Sequence, residues 1–485
     1  MEQLKRLFAA WAGVPCAECL ALGANGSARR YYRLISTPST LEGVSAQRTG
    51  TSVSAIGCIA DDLRENEAFF AYSRHFHDRG LPVPELYAVD DDRRHYLQQD
   101  LGDQTLYGLL YQKKQQGGGF DAEMLALYKQ ALADLHNLQV GGRDMDFSYG
   151  YPRAAFDRRS ILWDLNYFKY YFLKLQHIPF DEDRLEDDFD RFIDMLLSAD
   201  CTYFLYRDFN PRNIMLPTTH DPLSTLYYID YQGGRRGAAQ YDVASLLYSA
   251  KSDLLPAIRH DLLQHYVRLH GDPRFMDHFW HYVLVRILQT LGAYGYRGLY
   301  ERKPYFIESI PLALNNLRQL VQDHPDLLDS LPELRRIAQQ LSSIQSIPSI
   351  QSIPSDTLTV TVQSFSYKQG LPKDNTGNGG GHIFDCRALP NPGRYPEYKT
   401  YTGKDRPVIE FLQREPAVDN FLSNAMAIVS QSVDKYLERH FTHLSVAFGC
   451  TGGQHRSVYC AEQLAARLRA KYPAVNVQIH HREQA

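Results

Sequence analysis

The sequence predicts an α+β protein in which a strand-rich small lobe and a helical large lobe form one module, followed by a separate α/β domain. Three observations support this prediction: short apolar runs separated by turns before residue 115, helical periodicity after residue 121, and a Ser/Pro repeat that divides the chain near residue 350. The length of 485 residues is about three times that of a typical single domain, so more than one hydrophobic core is expected.

The predicted small lobe covers residues 1–115. Short strands are expected at 19–22, 31–36 and 96–99, where apolar or aromatic runs end at turn-forming residues. Residues 65–79 have the spacing of an amphipathic helix. The Gln/Gly-rich stretch at 115–119 is typical of a loop and ends the lobe.

The predicted large lobe covers residues 116–341. Leu125, Tyr128, Leu132 and Leu135 recur at helical spacing. Two short apolar runs, at 203–206 and 225–229, interrupt the helices, and each is followed at once by acidic and polar residues. This change of pattern indicates where catalytic residues are expected.

Residues 342–355 contain the hexapeptide S-I-Q-S-I-P twice and are predicted to be a linker, because a short Ser/Pro repeat cannot build a core. The domain after it, residues 356–485, is expected to hold a buried strand at 444–450 and an amphipathic helix at 457–471. A glycine-bearing loop joins the two.

Composition excludes several classes of protein. The chain is 44% hydrophobic and 22% charged, and no run of 18 apolar residues occurs, so a membrane span is not expected. The N-terminus lacks a secretory pattern and the chain has only seven cysteines, which favours the cytoplasm. The net charge is −4, and the C-terminal 130 residues hold 15 basic and 12 acidic residues, an excess too small to predict RNA binding.

The strongest chemical pattern lies in the large lobe, where residues 206–216 read Y-R-D-F-N-P-R-N-I-M-L and residues 228–232 read Y-I-D-Y-Q. Phosphoryl transfer to a hydroxyl needs a carboxylate that takes or orients the proton and oxygen ligands for Mg²⁺. Asp208, Asn213 and Asp230 supply that set. The alternative, that Asp208 and Asn213 only cap a turn, does not account for Asp230 at this distance.

The segment 23–33, between two predicted strands, contains Gly26 and Ser27. Small residues there let backbone N–H groups approach phosphates, although Asn-Gly is also an ordinary hairpin turn. The order of strands, loop and helical lobe indicates a bilobal, protein-kinase-like fold, which favours the phosphate-binding interpretation.

The D-x-x-x-x-N loop followed by a second Asp resembles the aminoglycoside phosphotransferase and choline kinase family. The resemblance implies ATP and Mg²⁺ as cofactors, with Asp208 as the base and Asn213 and Asp230 as metal ligands. Residues 99–103 (Q-D-L-G-D), 229–232 and 291–294 (L-G-A-Y) further resemble the N-acetylmuramate/N-acetylglucosamine anomeric kinases. A sugar or amino-sugar acceptor is therefore expected.

Two departures from that family bear on activity. Tyr206 stands where the family usually has His, and no lysine occurs between Lys5 and Lys113, so the usual small-lobe lysine is missing. An arginine could replace it, with a glutamate on the next helix as partner, although the two side chains differ in geometry. The candidates are Arg30, Arg33 and Arg48, with Glu65 or Glu67. A non-catalytic pseudokinase that acts as an adapter stays open as the alternative.

The C-terminal loop 450–457 reads C-T-G-G-Q-H-R-S. A glycine-bearing loop that enters a helix offers N–H groups to an anion, and Arg456 can add a charged contact. The same residues fit the C-x5-R-[ST] pattern of cysteine phosphatases, in which Cys450 would be the nucleophile.

The C-terminal domain also resembles the C-terminal domain of the RapZ (RNase adapter protein) family, through 364–372 (S-F-S-Y-K-Q-G-L-P), 384–387 (F-D-C-R), 389–392 (L-P-N-P) and 449–458. That family's domain recognises glucosamine 6-phosphate and contributes to RNA and protein contacts. The residues implied for the phosphosugar are Asp385, Arg387, Thr451, Gly452, Gly453, His455 and Arg456. The P-loop ATPase domain of that family is replaced here by the two-lobed module, so RNA binding is left undecided.

Overall fold

The computed structural model of the chain describes residues 1–23, 29–36, 52–217, 226–343, 358–372, 381–439 and 441–484. The chain divides into two compact units: Met1–Tyr296 with Glu308–Ser346, and Arg297–Ile307 with Ile347–Ala485. Most of the predicted linker, 342–355, lies outside the described residues. Among the described helices, none combines the length and the hydropathy needed to cross a membrane.

The first unit begins with a small lobe built on a five-stranded antiparallel sheet. Its elements are α1 (Glu2–Ala12), β1 (Cys16–Ala21), β2 (Arg30–Ser36), β3 (Ser54–Ile59), α2 (Leu63–Asp78), β4 (Leu86–Val89) and β5 (His95–Gln98). The strands lie in the order β1-β2-β3-β5-β4. Helix α1 covers one face, where Leu4 and Phe8 are fully buried against Leu34.

Strand β3 lies at the centre of this sheet, and the sequence pattern does not predict it. Its sequence is S-A-I-G-C-I, and the last five of these six residues are buried, so the strand does not alternate between apolar and polar residues. Gly57 fits this crowded position because a Cβ there would lie 2.5 Å from Leu34 Cδ1. Helix α2 begins two residues before the predicted start, since Asp62 accepts hydrogen bonds from the first free N–H groups.

Helices dominate the chain after the small lobe. They are α3 (Leu106–Gln115), α4 (Ala122–Gly141), α5 (Arg158–Phe168), α6 (Glu182–Leu197), α7 (Gln240–Leu247), α8 (Pro256–His270), α9 (Phe275–Tyr294), α10 (Pro304–Ile307), α11 (Ile310–Asp323) and α12 (Pro332–Ser343). Four of them start at a Thr or Asp whose side chain accepts from a backbone N–H; these residues are Thr105, Asp121, Asp157 and Asp181.

Two short antiparallel strand pairs interrupt these helices. They are formed by β6 (Tyr203–Leu205) with β9 (Arg235–Gly237) and by β7 (Ile214–Met215) with β8 (Tyr227–Tyr228). The predicted catalytic loop connects β6 to β7, and Asp230 follows β8. The pairing therefore brings the two predicted acidic positions to the same end of these strands.

The C-terminal domain has a four-stranded parallel sheet in the order β11-β12-β10-β13. Its elements are β10 (Thr359–Ser366), β11 (Gly381–Asp385), α13 (Arg406–Gln413), α14 (Pro416–Glu438), β12 (His443–Cys450), α15 (Arg456–Lys471) and β13 (Asn476–His481). Apolar side chains of β10 and α15 form the core between sheet and helix, including Val360, Val362, Leu464 and Leu468. The predicted strand and helix differ from β12 and α15 by one residue at their starts.

Candidate functional site

The loop after β6 carries the residues with the strongest catalytic pattern. Arg207 has a φ of 82°, in the left-handed region, so the chain turns sharply just before Asp208. Asn213 Nδ2 donates to the backbone oxygen of Asp208 at 2.9 Å and to Oδ2 of Asp230 at 3.2 Å. The structure thus brings together the three residues that the sequence selected.

Asp242, in the first turn of α7, holds this loop in place through its carboxylate. Its carboxylate accepts hydrogen bonds from the backbone N–H groups of Tyr206 at 2.7 Å and Arg207 at 2.9 Å. The residue is fully buried, and burial raises the pKa of its carboxyl to about 7. Because both oxygens of this carboxylate accept hydrogen bonds from backbone N–H groups, Asp242 holds the loop and does not face a reactant.

Arg207 and Tyr206 fix the loop from two further directions. The guanidinium of Arg207 makes a two-pronged pair with Asp164 of α5, at 2.6 and 2.7 Å, and also donates to the hydroxyl of Tyr241. Tyr206, at the position where His is usual, is fully buried and donates from its hydroxyl to the carbonyl of Ile229 at 2.5 Å. The tyrosine therefore ties the Asp208 loop directly to the segment that carries Asp230.

The carboxylate of Asp230 lies beside Asn213 and near the charge of Asp208. Its φ is 71°, and its carboxylate accepts from Asn213 and, at 2.7 Å, from Nε2 of Gln232. Burial and the neighbouring charge of Asp208 raise the pKa of Asp230 to about 6, while Arg212 and Arg29 act in the opposite sense. A carboxylate with a raised pKa is one that a bound cation would stabilise.

These donors fit Mg²⁺. The ion prefers hard oxygen ligands and keeps several of its waters, so a carboxylate from Asp230 and an amide oxygen from Asn213 suffice as protein ligands. Asn213 is 7% exposed, which keeps its amide fixed beside the carboxylate. The chemistry of the donor set therefore agrees with the metal that the sequence resemblance implies.

The structure describes only some of the small-lobe residues that were predicted to contact nucleotide. Gly26 and Ser27, like Arg48, lie outside the described residues. Arg30 is exposed at the start of β2. The positions of the remaining two, Arg33 and Glu67, differ from the expectation.

Arg33 and Glu67 are both engaged by other partners. Arg33 pairs with Asp100 at 2.8 Å and with Asp103 at 2.9 Å, so it ties β2 to the segment after β5. Glu67 pairs with Arg93, in the turn between β4 and β5. The expected pair of Arg33 with Glu67 is therefore not formed, because each of these two side chains has another partner.

The structure instead pairs Arg29, just before β2, with Glu65 in the first turn of α2. Arg29 Nε lies 3.5 Å from Glu65 Oε2, and Nη1 donates to the hydroxyl of Tyr96 at 2.6 Å. The sequence analysis missed Arg29. Its position two residues before Tyr31, on the same face of an extended chain, was the available signal.

In the C-terminal domain, the ends of three parallel strands meet at one edge of the sheet. Ser366 of β10 lies opposite Cys450 of β12, and Asp385 of β11 lies opposite Gly449. The strand that follows β10 lies toward one edge of the sheet and the strand that follows β12 lies toward the other edge, and ligands bind at such a reversal of strand order in open α/β sheets. The loop Thr451–His455 between β12 and α15 therefore occupies the expected place for a ligand.

Glycine is required at one position of this loop. Gly453 has a φ of 70°, and a Cβ on it would lie 2.7 Å from Glu483 Oε2. A Cβ on Gly452 would meet no atom within 4 Å. Thr451 accepts a hydrogen bond through its carbonyl from Ser366, and the ring of His455 bonds the carbonyl of Tyr398.

Arg456 connects the loop to the predicted sugar-facing residues, but in a different way from the expectation. It is 6% exposed, and its Nη1 donates to the carbonyls of Arg387 at 2.8 Å and Leu389 at 3.0 Å. The turn Asp385–Arg387 is thereby held beside the glycine loop. Arg387 itself is exposed and pairs with Asp385 at 2.6 Å.

The same geometry disfavours the cysteine phosphatase interpretation. Cys450 is 3% exposed, and its thiol lies 3.1 Å from the Ser457 hydroxyl. A phosphatase of this type needs an accessible thiolate and an arginine that faces the phosphate. Here the thiol is buried, and Arg456 is bonded to backbone carbonyls.

Comparison with known proteins gives relatives for the C-terminal part of the chain. A "Nucleotide-binding protein" from Delftia acidovorans is 34% identical over 200 residues, which are 40% of this chain and 65% of that protein. The "RNase adapter protein RapZ" from Yersinia pseudotuberculosis is 43% identical over 125 residues, 26% of this chain and 42% of that protein. The chain spans about half the length of the curated relatives that it matches.

Among solved structures, an ethanolamine kinase from Plasmodium vivax is 12% identical and covers 61% of this chain and 81% of its own, with a TM-score of 0.43. The choline kinase LicA from Streptococcus pneumoniae is 14% identical and covers 65% and 97%, with a TM-score of 0.39. Residues 50–279 match the phosphotransferase enzyme family, and residues 358–485 match the RapZ C-terminal domain. Two separate parts of the chain are therefore similar to two different families.

Proposed function

We propose that this chain is an ATP- and Mg²⁺-dependent kinase that phosphorylates a sugar or amino sugar, with a C-terminal domain that binds a phosphosugar. The observation that carries the kinase proposal is the convergence of Asp208, Asn213 and Asp230 in one loop cluster. Its conformation is held by the buried carboxylate of Asp242 and the Arg207–Asp164 pair. The low cysteine content supports a cytoplasmic location.

Each residue has a distinct role in this proposal. Asp208 takes or orients the proton of the acceptor hydroxyl. Asn213 and Asp230 hold Mg²⁺, which when bound neutralises charge on the nucleotide phosphates. Because phosphoryl transfer depends mainly on positioning and charge neutralisation, the rigidity of this loop supports a catalytic role.

The acceptor class rests on the motifs shared with the amino-sugar anomeric kinases at 99–103, 229–232 and 291–294. Two aromatic side chains on and after α5, Trp163 and Tyr170, are 46% and 47% exposed. Trp163 lies on α5, which carries Asp164, the partner of Arg207, and Tyr170 lies just after that helix. An exposed aromatic face can stack against a sugar ring, but it also binds cationic amines, so the sugar assignment rests on the shared motifs.

The test is ATP consumption over a panel of sugars and amino sugars with the full chain. Asp208→Asn and Asp230→Ala are expected to lower turnover by at least about 100-fold. Asp187, exposed on α6, offers a matched control, and Asp187→Asn is expected to act like the wild type. Full ATP-dependent phosphorylation by Asp208→Asn would contradict the assignment.

For the C-terminal domain, titration calorimetry with glucosamine 6-phosphate, glucosamine and inorganic phosphate tests the proposed ligand. We expect Arg387→Ala to weaken glucosamine 6-phosphate binding about tenfold, because a charged contact to the ligand is lost. Arg414→Ala, which removes an exposed charge on the same domain, is the control. Equal binding by Arg387→Ala and the control would exclude Arg387 from the site.

A regulatory adapter is the second candidate, and the C-terminal match to the RapZ family favours it. In that case the two-lobed module binds nucleotide without transferring phosphate. The absence of metal-dependent turnover with every acceptor in the panel, together with retained ATP binding, would favour the adapter. RNA binding by the full chain is measured in the same preparation, since the relatives include proteins named as RNase adapters.

A further inference from the structure

The large lobe contains a polar cavity whose lining residues all lie outside the Asp208 loop. Its volume is about 230 Å³, which is enough for a small organic molecule. It lies where α6 ends and where β6, α7 and α9 begin. The side chains that bear on its chemistry are Asp200, Tyr203, His270, Asp272, Phe275 and Asp277. The roles proposed for Asp208, Asn213 and Asp230 leave this cavity without a function.

Three carboxylates of this lining are only partly compensated by cations. Asp200 pairs with Arg143 at 2.9 Å, and Asp272 pairs more loosely with Arg274 at 3.3 Å. Asp277 is exposed in the first turn of α9, and among the described residues it forms no ion pair within 4 Å. Three carboxylates and two arginines leave one negative charge uncompensated, which favours a cationic ligand.

Aromatic rings line the same cavity. The ring centres of Tyr203 and His270 are 5.2 Å apart, and those of His270 and Phe275 are 4.9 Å apart. The Tyr203 ring already holds a cation, since the guanidinium carbon of Arg143 lies 3.8 Å from its centre. Aromatic faces attract organic ammonium groups, and nearby carboxylates accept their hydrogen bonds. The combination of rings and carboxylates therefore suits an organic cation.

The ring of His270 adds an unsatisfied hydrogen-bonding atom. Burial is the main cause that lowers its pKa, so the imidazole is neutral at pH 7. Nε2 lies 3.4 Å from the Tyr203 hydroxyl, whereas Nδ1 is buried and has no hydrogen-bond partner in the part of the chain that the structure describes. A neutral imidazole accepts one hydrogen bond, and an amine supplies a donor for it.

Two other classes of ligand fit these groups less well. A metal ion needs ligand atoms that lie close together, and among the described residues the one such group of three is Asp90, Asp92 and His95, in the small lobe. An anion would be drawn to the first turn of α9, but Asp272 already accepts a backbone N–H there and Asp277 adds negative charge. An organic cation meets neither difficulty.

We propose that this cavity binds a small organic ammonium ion, a primary amine or diamine, between the carboxylates of Asp200, Asp272 and Asp277 and the rings of Tyr203 and His270. The carboxylates bind the ammonium group, and the rings contact the carbon chain. The inference goes beyond the proposed kinase function and does not depend on it.

Ligand-detected nuclear magnetic resonance on the full chain without ATP tests the site. The probes are 1,4-diaminobutane, 1,4-butanediol and succinate, which share one chain length but carry positive, zero and negative charge. We expect the diamine alone to bind. Asp277→Lys is expected to weaken its binding about fivefold or more, because an attraction is replaced by a repulsion. Asp187→Lys, exposed on α6, is the matched control and is expected to bind like the wild type.

Two further variants separate this cavity from the proposed acceptor site. Asp200→Asn removes the charge but retains an oxygen that accepts from Thr202, so a smaller loss of diamine binding is expected. Asp208→Asn is expected to bind the diamine like the wild type. The inference is overturned by the absence of saturable diamine binding, by preference for succinate or butanediol, by equal binding in Asp277→Lys and Asp187→Lys, or by a loss in Asp208→Asn instead. A chain that transfers no phosphate but binds the diamine in this way contradicts the kinase function alone.

Discussion

The carboxylate of Asp242 controls the conformation of the loop between β6 and β7 without contact to any reacting group. It is fully buried and accepts hydrogen bonds from two backbone N–H groups. Two hydrogen bonds favour its charged form, whereas burial favours the neutral form, and burial prevails, so the pKa is raised to about 7. A group with such a difference between folded and unfolded states links stability to pH.

The sign of this linkage follows from the raised pKa. Between about pH 4 and pH 7 the folded state retains a proton on Asp242 that the unfolded chain has released, so this residue lowers the free energy of unfolding as pH rises. In Asp242→Asn we expect this decline to be smaller, by up to about 1 kcal/mol per pH unit. Urea denaturation at several pH values measures it, with Asp187→Asn as control. Parallel curves for wild type and Asp242→Asn would contradict the prediction.

The conformation of the loop between β6 and β7 depends on a buried ion pair. Arg207 and Asp164 are 17% and 9% exposed in their side chains, and the pair connects the loop to α5. Removal of one partner leaves an uncompensated charge in a poorly solvated place. The loop is therefore expected to lose its conformation before the rest of the lobe does.

Asp164→Ala tests this dependence. We expect the free energy of unfolding to fall by about 3–5 kcal/mol, with the loss of any ATP-dependent turnover. The matched control is Asp190→Ala, which breaks the exposed pair with Arg158 and is expected to cost at most about 1 kcal/mol. Similar effects of the two substitutions in guanidinium denaturation would show that the buried pair has no special role.

The loop between β12 and α15 offers a comparison of two adjacent glycines. Gly453→Ala places a Cβ at positive φ and against Glu483, so a loss of about 1–2 kcal/mol is expected. Gly452→Ala places a Cβ in open space and is expected to leave stability unchanged. Thermal unfolding of the C-terminal transition measures both. Equal melting temperatures for the two variants would disagree with the left-handed conformation of Gly453.

The elements differ in how well the sequence predicts them. Strand β12, helix α15 and the Asp208 loop follow from contiguous patterns, and the structure gives them nearly the predicted bounds. Strand β3 escapes prediction because a strand buried on both faces has no alternation. The sequence does not predict the Arg29–Glu65 pair, because its two residues are 36 positions apart in the chain. Arg456 was expected at a phosphate, but it bonds carbonyls that only the folded turn brings near.

At the scale of the whole molecule, two compact units with separate cores are expected to unfold as separate transitions. The independent hydrophobic cores are the reason for this behaviour. The C-terminal core is formed by its own strands and helices, from Leu358 to Val477. A ligand that binds one unit then stabilises that unit alone, by an amount set by its concentration and affinity.

Differential scanning calorimetry of the full chain tests this independence. At about 100 times its dissociation constant, a ligand is expected to stabilise its own unit by about 2.7 kcal/mol. ATP with Mg²⁺ should raise the transition of the two-lobed unit, and Asp230→Ala should abolish that shift. Glucosamine 6-phosphate should raise the other transition, with a smaller shift in Arg387→Ala. One transition that both ligands raise together would mean that the units unfold as a single cooperative body, and the assignment of separate sites would then require direct binding measurements on each variant.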